Sequence, residues 1–303
     1  MDHIIHYIDR LTGNTEEEEV FGGGLLRFIY GSTPLGRFFS PFWQTLLCRN
    51  SLVSKMAGYY QRLPCTKKNI RPFVERFGID SSEFQKNIED FSSFNDFFVR
   101  KLKPEARPID ADSSKAVLPA DGRYLFFPRI DQADGFLVKG KKFSLEDFLQ
   151  DRELAEKYAQ GTLVLVRLCP IDYHRFHFPC DLVPGEPQLI KGNLHSVNPL
   201  ALRRKIEIFC ENKRVITPLF TENFGTVLWA EIGATCVGSI HQTFTPEKRY
   251  SKGEEKGFFS FGGSSLVLLF EPGAITLDED LLAASAQGLE IRGLFGQSMG
   301  CCN

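Results

Sequence analysis

The sequence predicts an α+β protein in which N-terminal amphipathic helices precede a mainly antiparallel, β-rich core shaped like a barrel or a sandwich. Two observations support this fold class. Prolines that start helices, followed by apolar residues at helical spacing, occur before residue 90. After Arg107-Pro108 the pattern changes to short apolar runs separated by glycine and proline, which is typical of antiparallel strands. We therefore divide the chain into a helical, basic region at residues 1–90 and a β-rich domain at residues 91–303.

Composition limits the class of protein. The 303 residues are enough to bury a core in one large domain or two modest ones. A formal net charge of −2 argues against nucleic acid as a partner, because nucleic-acid binding relies on an excess of positive charge. The eight cysteines form no C-x-x-C pair and fit no zinc or disulfide framework, and no secretory signal opens the chain. We therefore expect reduced thiols and an intracellular protein.

The first region has an uneven distribution of charge. Residues 1–20 include an acidic run at 16–19 and look peripheral. Residues 21–74 contain arginine and lysine but no aspartate or glutamate. Helix starts are predicted at Ser32-Thr33-Pro34 and Ser40-Pro41, with a further helix from Ser51.

Basic amphipathic helices of this kind indicate binding to an anionic membrane surface. No apolar run is long enough to span a bilayer, which takes about 18 residues or more. The expected localisation is therefore that of a peripheral membrane protein on the cytoplasmic side of the cell membrane. The alternative is a helical layer that packs only on the protein's own core.

The β-rich domain opens with a helix and continues with strands. The capping box Ser93-Phe94-Asn95-Asp96 predicts a helix that ends before Lys103-Pro104. Apolar runs predict strands at residues 162–168, 206–210, 226–232 and 264–270.

Three stretches of this domain combine polar groups with apolar neighbours. Asp121 lies in a predicted turn, and Ser264 lies directly before a buried strand. His174 and His177 form a His-x-x-His pair, but no third or fourth ligand is evident nearby, so we predict no metal site. An acid, a histidine and a serine are also the parts of a relay that activates a nucleophile, which leaves a serine hydrolase as one hypothesis. The G-x-S-x-G motif of such hydrolases is absent.

Several short motifs follow one another along the chain. They are Phe94-Asn95-Asp96-Phe97-Phe98 with Arg107-Pro108, Pro119-Ala120-Asp121-Gly122, Asp172-Tyr173-His174-Arg175-Phe176-His177, Val197-Asn198-Pro199, Val237-Gly238-Ser239-Ile240, and Lys252-Gly253-Glu254-Glu255-Lys256-Gly257 before Phe261-Gly262-Gly263-Ser264-Ser265. Each motif is weak alone, but their joint occurrence is specific. In this combination the chain resembles the phosphatidylserine decarboxylase family over roughly residues 20–290.

The resemblance implies an enzyme that cuts itself between Gly263 and Ser264. The two products, 1–263 and 264–303, would remain partners, and Ser264 would become a covalently bound pyruvoyl group. In this scheme His177 takes the proton of Ser264 and Asp121 orients the imidazole. Ser265 stands where the family commonly has threonine, and we assign the nucleophile to Ser264.

The resemblance also implies a reaction and a substrate. The pyruvoyl group would form a Schiff base with phosphatidylserine, and loss of CO₂ would give phosphatidylethanolamine. His174 is the expected acid that protonates the substrate carbon. Two alternatives are a non-processing membrane-binding homologue and a serine hydrolase that uses Asp121, His177 and Ser264. The oligomeric state is left open, with a homodimer as one alternative.

Overall fold

The computed structural model describes residues 5–18, 56, 58–132, 144–195, 197, 208–233, 240–261 and 264–303. Its strands are β1 (Ile5–Asp9), β2 (Thr15–Glu18), β3 (Lys115–Val117), β4 (Gly122–Phe127), β5 (Thr162–Leu168), β6 (Arg175–His177), β7 (Leu182–Pro184), β8 (Gln188–Ile190), β9 (Arg214–Thr221), β10 (Thr226–Gly233), β11 (Ile240–Gln242), β12 (Glu255–Phe259), β13 (Ser264–Phe270), β14 (Thr276–Leu277), β15 (Glu290–Gly293) and β16 (Ser298–Cys301). Its α-helices are α1 (Ile70–Phe77), α2 (Phe94–Phe98), α3 (Leu145–Leu149), α4 (Arg152–Tyr158), α5 (Ile208–Glu211) and α6 (Glu279–Ala286).

The strands form one large sheet and two small ones. The order in the ten-stranded sheet is β2–β1–β15–β4–β5–β13–β10–β9–β7, with β8 also paired to β9. The three-stranded sheets have the orders β11–β12–β6 and β14–β16–β3. The strand pairs are antiparallel except for β1 with β15, which run parallel. The predicted α+β class with a mainly antiparallel core is confirmed. Within the described strands the large sheet ends at β2 and β7, so it is not a closed barrel.

The central strands of the large sheet are buried on both faces. All seven residues of β5 and all seven of β13 are buried, which explains why both read as continuous apolar runs. Successive side chains of a strand point to opposite faces. Strand β13 therefore contributes Leu266 and Leu268 to one core and Val267 and Leu269 to another. We call the side of Leu266 the inner face and the side of Val267 the helix face.

The inner face is covered by the small sheet β11–β12–β6. Phe176 of β6 packs against Trp229 of β10 and Phe259 of β12, with ring centroids 5.9 and 5.0 Å apart. All three side chains are fully buried in one apolar cluster. Two sheets packed face to face in this way make the core sandwich-like.

Helices cover the opposite side of the large sheet. Phe148 of α3, Tyr158 of α4 and Phe209 of α5 share a buried cluster with Val267 and Leu269 of β13. Strand β13 therefore lies in the middle layer, with a sheet on one side and helices on the other.

A separate aromatic layer precedes the core. Phe73 of α1 and Phe97 of α2 pack edge to face at 6.0 Å, within a cluster in which six of the eight buried residues are phenylalanines. The predicted helix start at Ser93 is confirmed, since the Ser93 side chain accepts a 3.2 Å hydrogen bond from the Asp96 amide. The Asp96 carboxylate accepts from the Ser92 amide rather than from that of Ser93, so only half of the capping box forms. The ring of Phe98 then reaches Phe261 at 5.1 Å, which joins this layer to the β-rich core.

Three of the four predicted strands are confirmed, at residues 162–168, 226–232 and 264–270. The strand predicted at 206–210 is wrong in its described part, which begins α5. Ile208 and Phe209 both enter the helix-face core. Neighbouring residues of a strand would point to opposite sides, whereas a helix can bury both on one side.

The N-terminal segment also differs from expectation. Residues 5–18 look peripheral in sequence but form β1 and β2 of the large sheet. The physical reason is that β1 pairs with β15 and buries Ile5 and Tyr7. The buried Glu18 side chain also forms an ion pair with Arg167 of β5. The predicted helix starts at residues 32 and 40 lie outside the described residues, and the division at residue 90 stays a prediction. No helix in the described ranges is long and apolar enough to cross a membrane.

Candidate active site

Ser264 lies at the start of the most buried strand of the protein's middle layer. It pairs with Leu168 of β5 on one side and Gly233 of β10 on the other, and its side chain is fully buried. Its Oγ atom has no hydrogen-bond partner. Its neighbour Gly263 lies outside the described residues, so the peptide bond predicted to be cut is seen only from the serine side.

The strand alternation separates the two adjacent serines. Ser264 has the parity of Leu266 and lies on the inner face, toward the small sheet. Ser265 has the parity of Val267 and lies on the helix face, opposite Arg167. The choice of Ser264 as nucleophile stays a prediction, and its position on the side of the small sheet favours it because that sheet carries His177.

The chain changes sheets directly before Ser264. Strand β12 ends at Phe259 in the small sheet, and β13 begins at Ser264 in the large sheet. The Phe261 amide donates a 3.0 Å hydrogen bond to the Asn95 side chain, and the Phe261 ring packs on Phe94 and Phe98 of α2. Helix α2 therefore holds the approach to the predicted cleavage site.

His174 lies beside this approach. Its Nδ1 atom is 2.9 Å from the Asp172 carbonyl oxygen, and its ring centroid is 3.8 Å from that of Phe98. Because a carbonyl can only accept, Nδ1 carries the proton and Nε2 carries the lone pair. The Nε2 atom is buried without a partner. Burial lowers the pKa of His174 to about 3, so the imidazole is neutral at pH 7.

His177 has the same tautomer but different neighbours. Its Nδ1 atom is 3.0 Å from the Gly253 carbonyl oxygen, which leaves the unpartnered Nε2 as a base. Its ring stacks on that of Phe295 with centroids 3.8 Å apart. Burial lowers the pKa of His177 to about 4. Both histidines therefore present a neutral nitrogen with a free lone pair.

Asp121 reaches His177 indirectly. Its carboxylate accepts hydrogen bonds from Arg107, from Nη2 at 2.7 Å and from Nε at 3.0 and 3.1 Å, and another at 2.9 Å from the Phe295 amide. The Phe295 ring is the one that stacks on His177. A simple relay predicts an imidazole bonded to the carboxylate, whereas here His177 Nδ1 faces the Gly253 carbonyl. The contact between Asp121 and His177 therefore runs through Phe295.

The small sheet brings the two histidines to the strand that leads to Ser264. The His174 carbonyl accepts a 3.0 Å hydrogen bond from the Phe259 amide, and His177 pairs with Glu255 of β12. Within the described residues no group of three or more histidine, cysteine or acidic side chains could hold a metal ion.

Sequence reasoning missed two groups at this site. Arg107 belongs to the Arg107-Pro108 motif, so an ion pair between Arg107 and Asp121 could have been predicted from the sequence. Phe295 carries no local signal, because only the fold brings it between Asp121 and His177.

Comparisons with known proteins identify the family of this chain. The profile of the family described as "Phosphatidylserine decarboxylase" matches residues 94–299. A protein of Chlamydia pneumoniae named "Phosphatidylserine decarboxylase proenzyme" is 50% identical over 294 residues, which cover 97% of this chain and 96% of that protein. A protein of the same name from Chlamydia muridarum is 52% identical with the same coverage. One from Chlamydia caviae is 50% identical over 98% of this chain and 97% of its own. The matched range contains all four candidate residues, and the chain belongs to the phosphatidylserine decarboxylase family.

Proposed function

We propose that this chain converts phosphatidylserine to phosphatidylethanolamine and CO₂ with a pyruvoyl group that it makes from Ser264. The observation that carries the proposal is the Ser264 hydroxyl, which is fully buried without a hydrogen-bond partner. The Ser265 hydroxyl is also buried and unpartnered, but only Ser264 lies on the face of the small sheet that carries His177. The relatives' names, which describe a decarboxylase made as a proenzyme, agree with it.

The Ser264 position fits a pyruvoyl group. An unpaired buried hydroxyl costs about 1–3 kcal/mol, and conversion of the serine removes that hydroxyl. The group supplies an electrophilic carbonyl that binds the substrate amine and accepts the electrons left by CO₂. The buried aromatic surroundings, with Phe98 against His174, favour a step in which the charge of the carboxylate is lost.

Self-cleavage begins with the Ser264 hydroxyl. Its Oγ attacks the Gly263 carbonyl carbon while Nε2 of His177 takes the hydroxyl proton, and the peptide bond is replaced by an ester. Removal of the Ser264 α-proton then breaks the Cβ–Oγ bond and releases the Gly263 carboxylate. Water adds to the new chain end and ammonia leaves. The chain 264–303 stays in place because β13 pairs with both β5 and β10 of the other product.

His174 handles protons during turnover. Its neutral Nε2 takes a proton from the substrate ammonium, which makes the amine nucleophilic, and later gives a proton to the substrate carbon. The hydrogen bond from Nδ1 to the Asp172 carbonyl fixes the ring for both steps. A neutral histidine at the start is therefore the state that this role requires.

Intact mass tests the proposal directly. The purified protein should consist of two chains, with the smaller beginning at position 264 and blocked by a group that reacts with hydrazides. Ser264→Ala should stay whole and inactive, while the matched variant Ser265→Ala should still be cut. Cleavage of Ser264→Ala would contradict the assignment of the nucleophile. A single uncut wild-type chain would favour the non-processing homologue, or the hydrolase if Ser264 reacts with a fluorophosphonate. The arginine contacts of Asp121 argue against the hydrolase relay.

We also propose that the first region binds an anionic membrane surface on the cytoplasmic side of the cell membrane. The acid-free stretch 21–74 supplies the positive charge. At its described end, Met56 and Tyr59 are 72% and 68% exposed, which suits insertion between lipid headgroups. A homodimer is a further proposal, which native mass measurement would test.

Vesicle binding tests the membrane proposal. Binding should require anionic lipid and weaken as salt rises, because charges are screened over about 8 Å at physiological ionic strength. Arg37→Glu, Arg49→Glu and Lys55→Glu together should release the protein from vesicles and leave self-cleavage intact. Equal binding to neutral vesicles at high salt would exclude an electrostatic contribution.

A further inference from the structure

Arg100 is a buried cation, and two of its three nitrogens have no hydrogen-bond partner. It follows α2 and is only 4% exposed. Its Nη2 atom donates hydrogen bonds to the carbonyl oxygens of Ile171 at 2.9 Å and Asp172 at 3.3 Å. The rings of Phe84 and Phe97 cover its guanidinium at 5.2 and 4.9 Å. Its Nε and Nη1 atoms, which together carry three N–H groups, have no hydrogen-bond partner.

A second buried arginine shows what full pairing looks like. Arg214 is 1% exposed and also lies against a phenylalanine ring, that of Phe148. All three of its nitrogens donate to backbone carbonyl oxygens, at distances from 2.5 to 2.9 Å. The fold can therefore satisfy a buried guanidinium completely, and at Arg100 it does not.

The positive charge of Arg100 also lacks an ion-pair partner among the described residues. The two acids whose charges act most on Arg100 have other partners. Asp121 binds Arg107, and Asp172 accepts from the Cys169 amide and lies 3.8 Å from Arg123. Burial lowers the pKa of Arg100 to about 10, which still leaves it charged at pH 7. A buried charge without a partner is costly unless an anion arrives to pair with it.

Arg100 and His174 both hydrogen-bond to the same carbonyl oxygen. The Asp172 carbonyl oxygen is 3.3 Å from Arg100 Nη2 and 2.9 Å from His174 Nδ1. The guanidinium therefore lies within a few ångströms of the histidine assigned to the substrate carbon. In a phosphoserine headgroup only three bonds separate that carbon from phosphorus. A phosphate near Arg100 would hold the reacting carbon near His174.

We propose that Arg100 binds the phosphodiester of the lipid substrate and so determines specificity for a phosphorylated headgroup. This inference rests on the proposed function, since it names the subsite for the phosphate of phosphatidylserine. The substrate carboxylate is the other anion on the headgroup. An arginine bound to it would stabilise the group that must leave as neutral CO₂ and would oppose the reaction. The phosphate keeps its charge throughout, so its pairing with Arg100 carries no such penalty.

Binding of a phosphodiester without amine or carboxylate tests the inference. Dihexanoylphosphatidylethanol should bind the mature enzyme in calorimetry with a Kd at least about tenfold lower than that of dihexanoylglycerol. Arg100→Met should raise the Kd for phosphatidylethanol about tenfold or more and leave that for the glycerol lipid unchanged. Arg100→Lys, which keeps the charge but loses the planar fork, should fall between. Arg152→Met, at an exposed arginine on α4, is the control and should bind as wild type.

Two results would overturn the inference, and a third would refute only the proposed function. Unchanged affinity of Arg100→Met for phosphatidylethanol would overturn it. The arginine would then either stabilise the fold or bind the substrate carboxylate instead of the phosphate. If the Met variant fails to fold, equal wild-type affinities for the two lipids would overturn it as well. The ligand needs no pyruvoyl group, so failure of self-cleavage would refute the proposed function while leaving this binding comparison readable.

Discussion

Ser264 and Ser265 are neighbours on one strand, but they border two different polar interiors. On the helix face, Ser265 lies opposite Arg167, whose guanidinium binds Glu18 and Glu290, each at 2.6 Å. Around the approach to Ser264, the Oγ of that serine and the Nε2 atoms of His174 and His177 are all buried without partners. On the helix face the charged groups are paired, although the Ser265 Oγ also lacks a hydrogen-bond partner. On the inner face the unpaired atoms include two imidazole nitrogens that can accept a proton.

The difference separates a structural cluster from a reactive one. Buried polar atoms in folded proteins are nearly always paired, so unpaired ones need a reason. Arg167 is paired with two carboxylates. The three unpaired atoms near Ser264 have the correct chemistry for proton transfer, a hydroxyl and two neutral imidazole nitrogens. Their cost in stability is the expected cost of a preorganised site.

The largest effects should come from replacing the two histidines whose Nε2 atoms are buried without a partner. His177→Ala should accumulate uncut chain, because its Nε2 is the proposed base for Ser264. Asp121→Ala should slow cutting as well, because the Phe295 amide loses its acceptor and the ring on His177 loses its support. His174→Ala should be cut normally and lose about 10²–10⁴-fold in turnover. Intact mass measures the first two, and CO₂ release measures the third.

Asp121→Asn separates the contact of Asp121 with the Phe295 amide from its ion pair with Arg107. It keeps an acceptor for the Phe295 amide but removes the charge that binds Arg107. Cutting should be faster in the Asn variant than in the Ala variant if support through Phe295 is what matters. A whole His174→Ala protein together with a mature His177→Ala protein would show that the two roles are reversed.

The paired side should respond in stability. Arg167→Met would leave Glu18 and Glu290 buried without their partner, which typically costs about 3–5 kcal/mol. Chemical denaturation of the uncut Ser264→Ala protein would measure this without interference from cleavage. Replacement of all three, as Arg167→Met with Glu18→Leu and Glu290→Leu, should recover much of the loss. Arg152→Met is the exposed control and should cost less than about 1 kcal/mol. A small loss for Arg167→Met would mean that water or movement compensates the two acids.

The paired cluster is also where sequence reasoning reached least far. Strands 162–168 and 264–270 were predictable because both faces of each are covered, which leaves an uninterrupted apolar run. The motifs around Asp121, His174 and Ser264 made the site predictable through resemblance. The place of residues 5–18 was not predictable, because the parallel pairing of β1 with β15 joins segments from opposite ends of the chain. The role of Phe295 was hidden for the same reason, since no local pattern encodes a contact between distant segments.

The smallest predicted effect is the part of the pH dependence of folding stability that the two buried histidines cause. Burial holds the pKa of His174 at about 3 and that of His177 at about 4, below the value of about 6.5 expected in the unfolded chain. Between these values the unfolded state binds more protons, so stability falls as pH drops below 6.5. Each histidine should account for a loss of about 2 kcal/mol at pH 5 relative to neutral pH. In the uncut Ser264→Ala background, His174→Gln should therefore lose about 2 kcal/mol less than its parent between pH 7 and pH 5. His6→Gln, at an exposed position of β1, serves as the control and should follow the parent. If His174→Gln follows the parent as well, His174 is not held as a buried neutral base, and the tautomer that fits its role in turnover is lost with it.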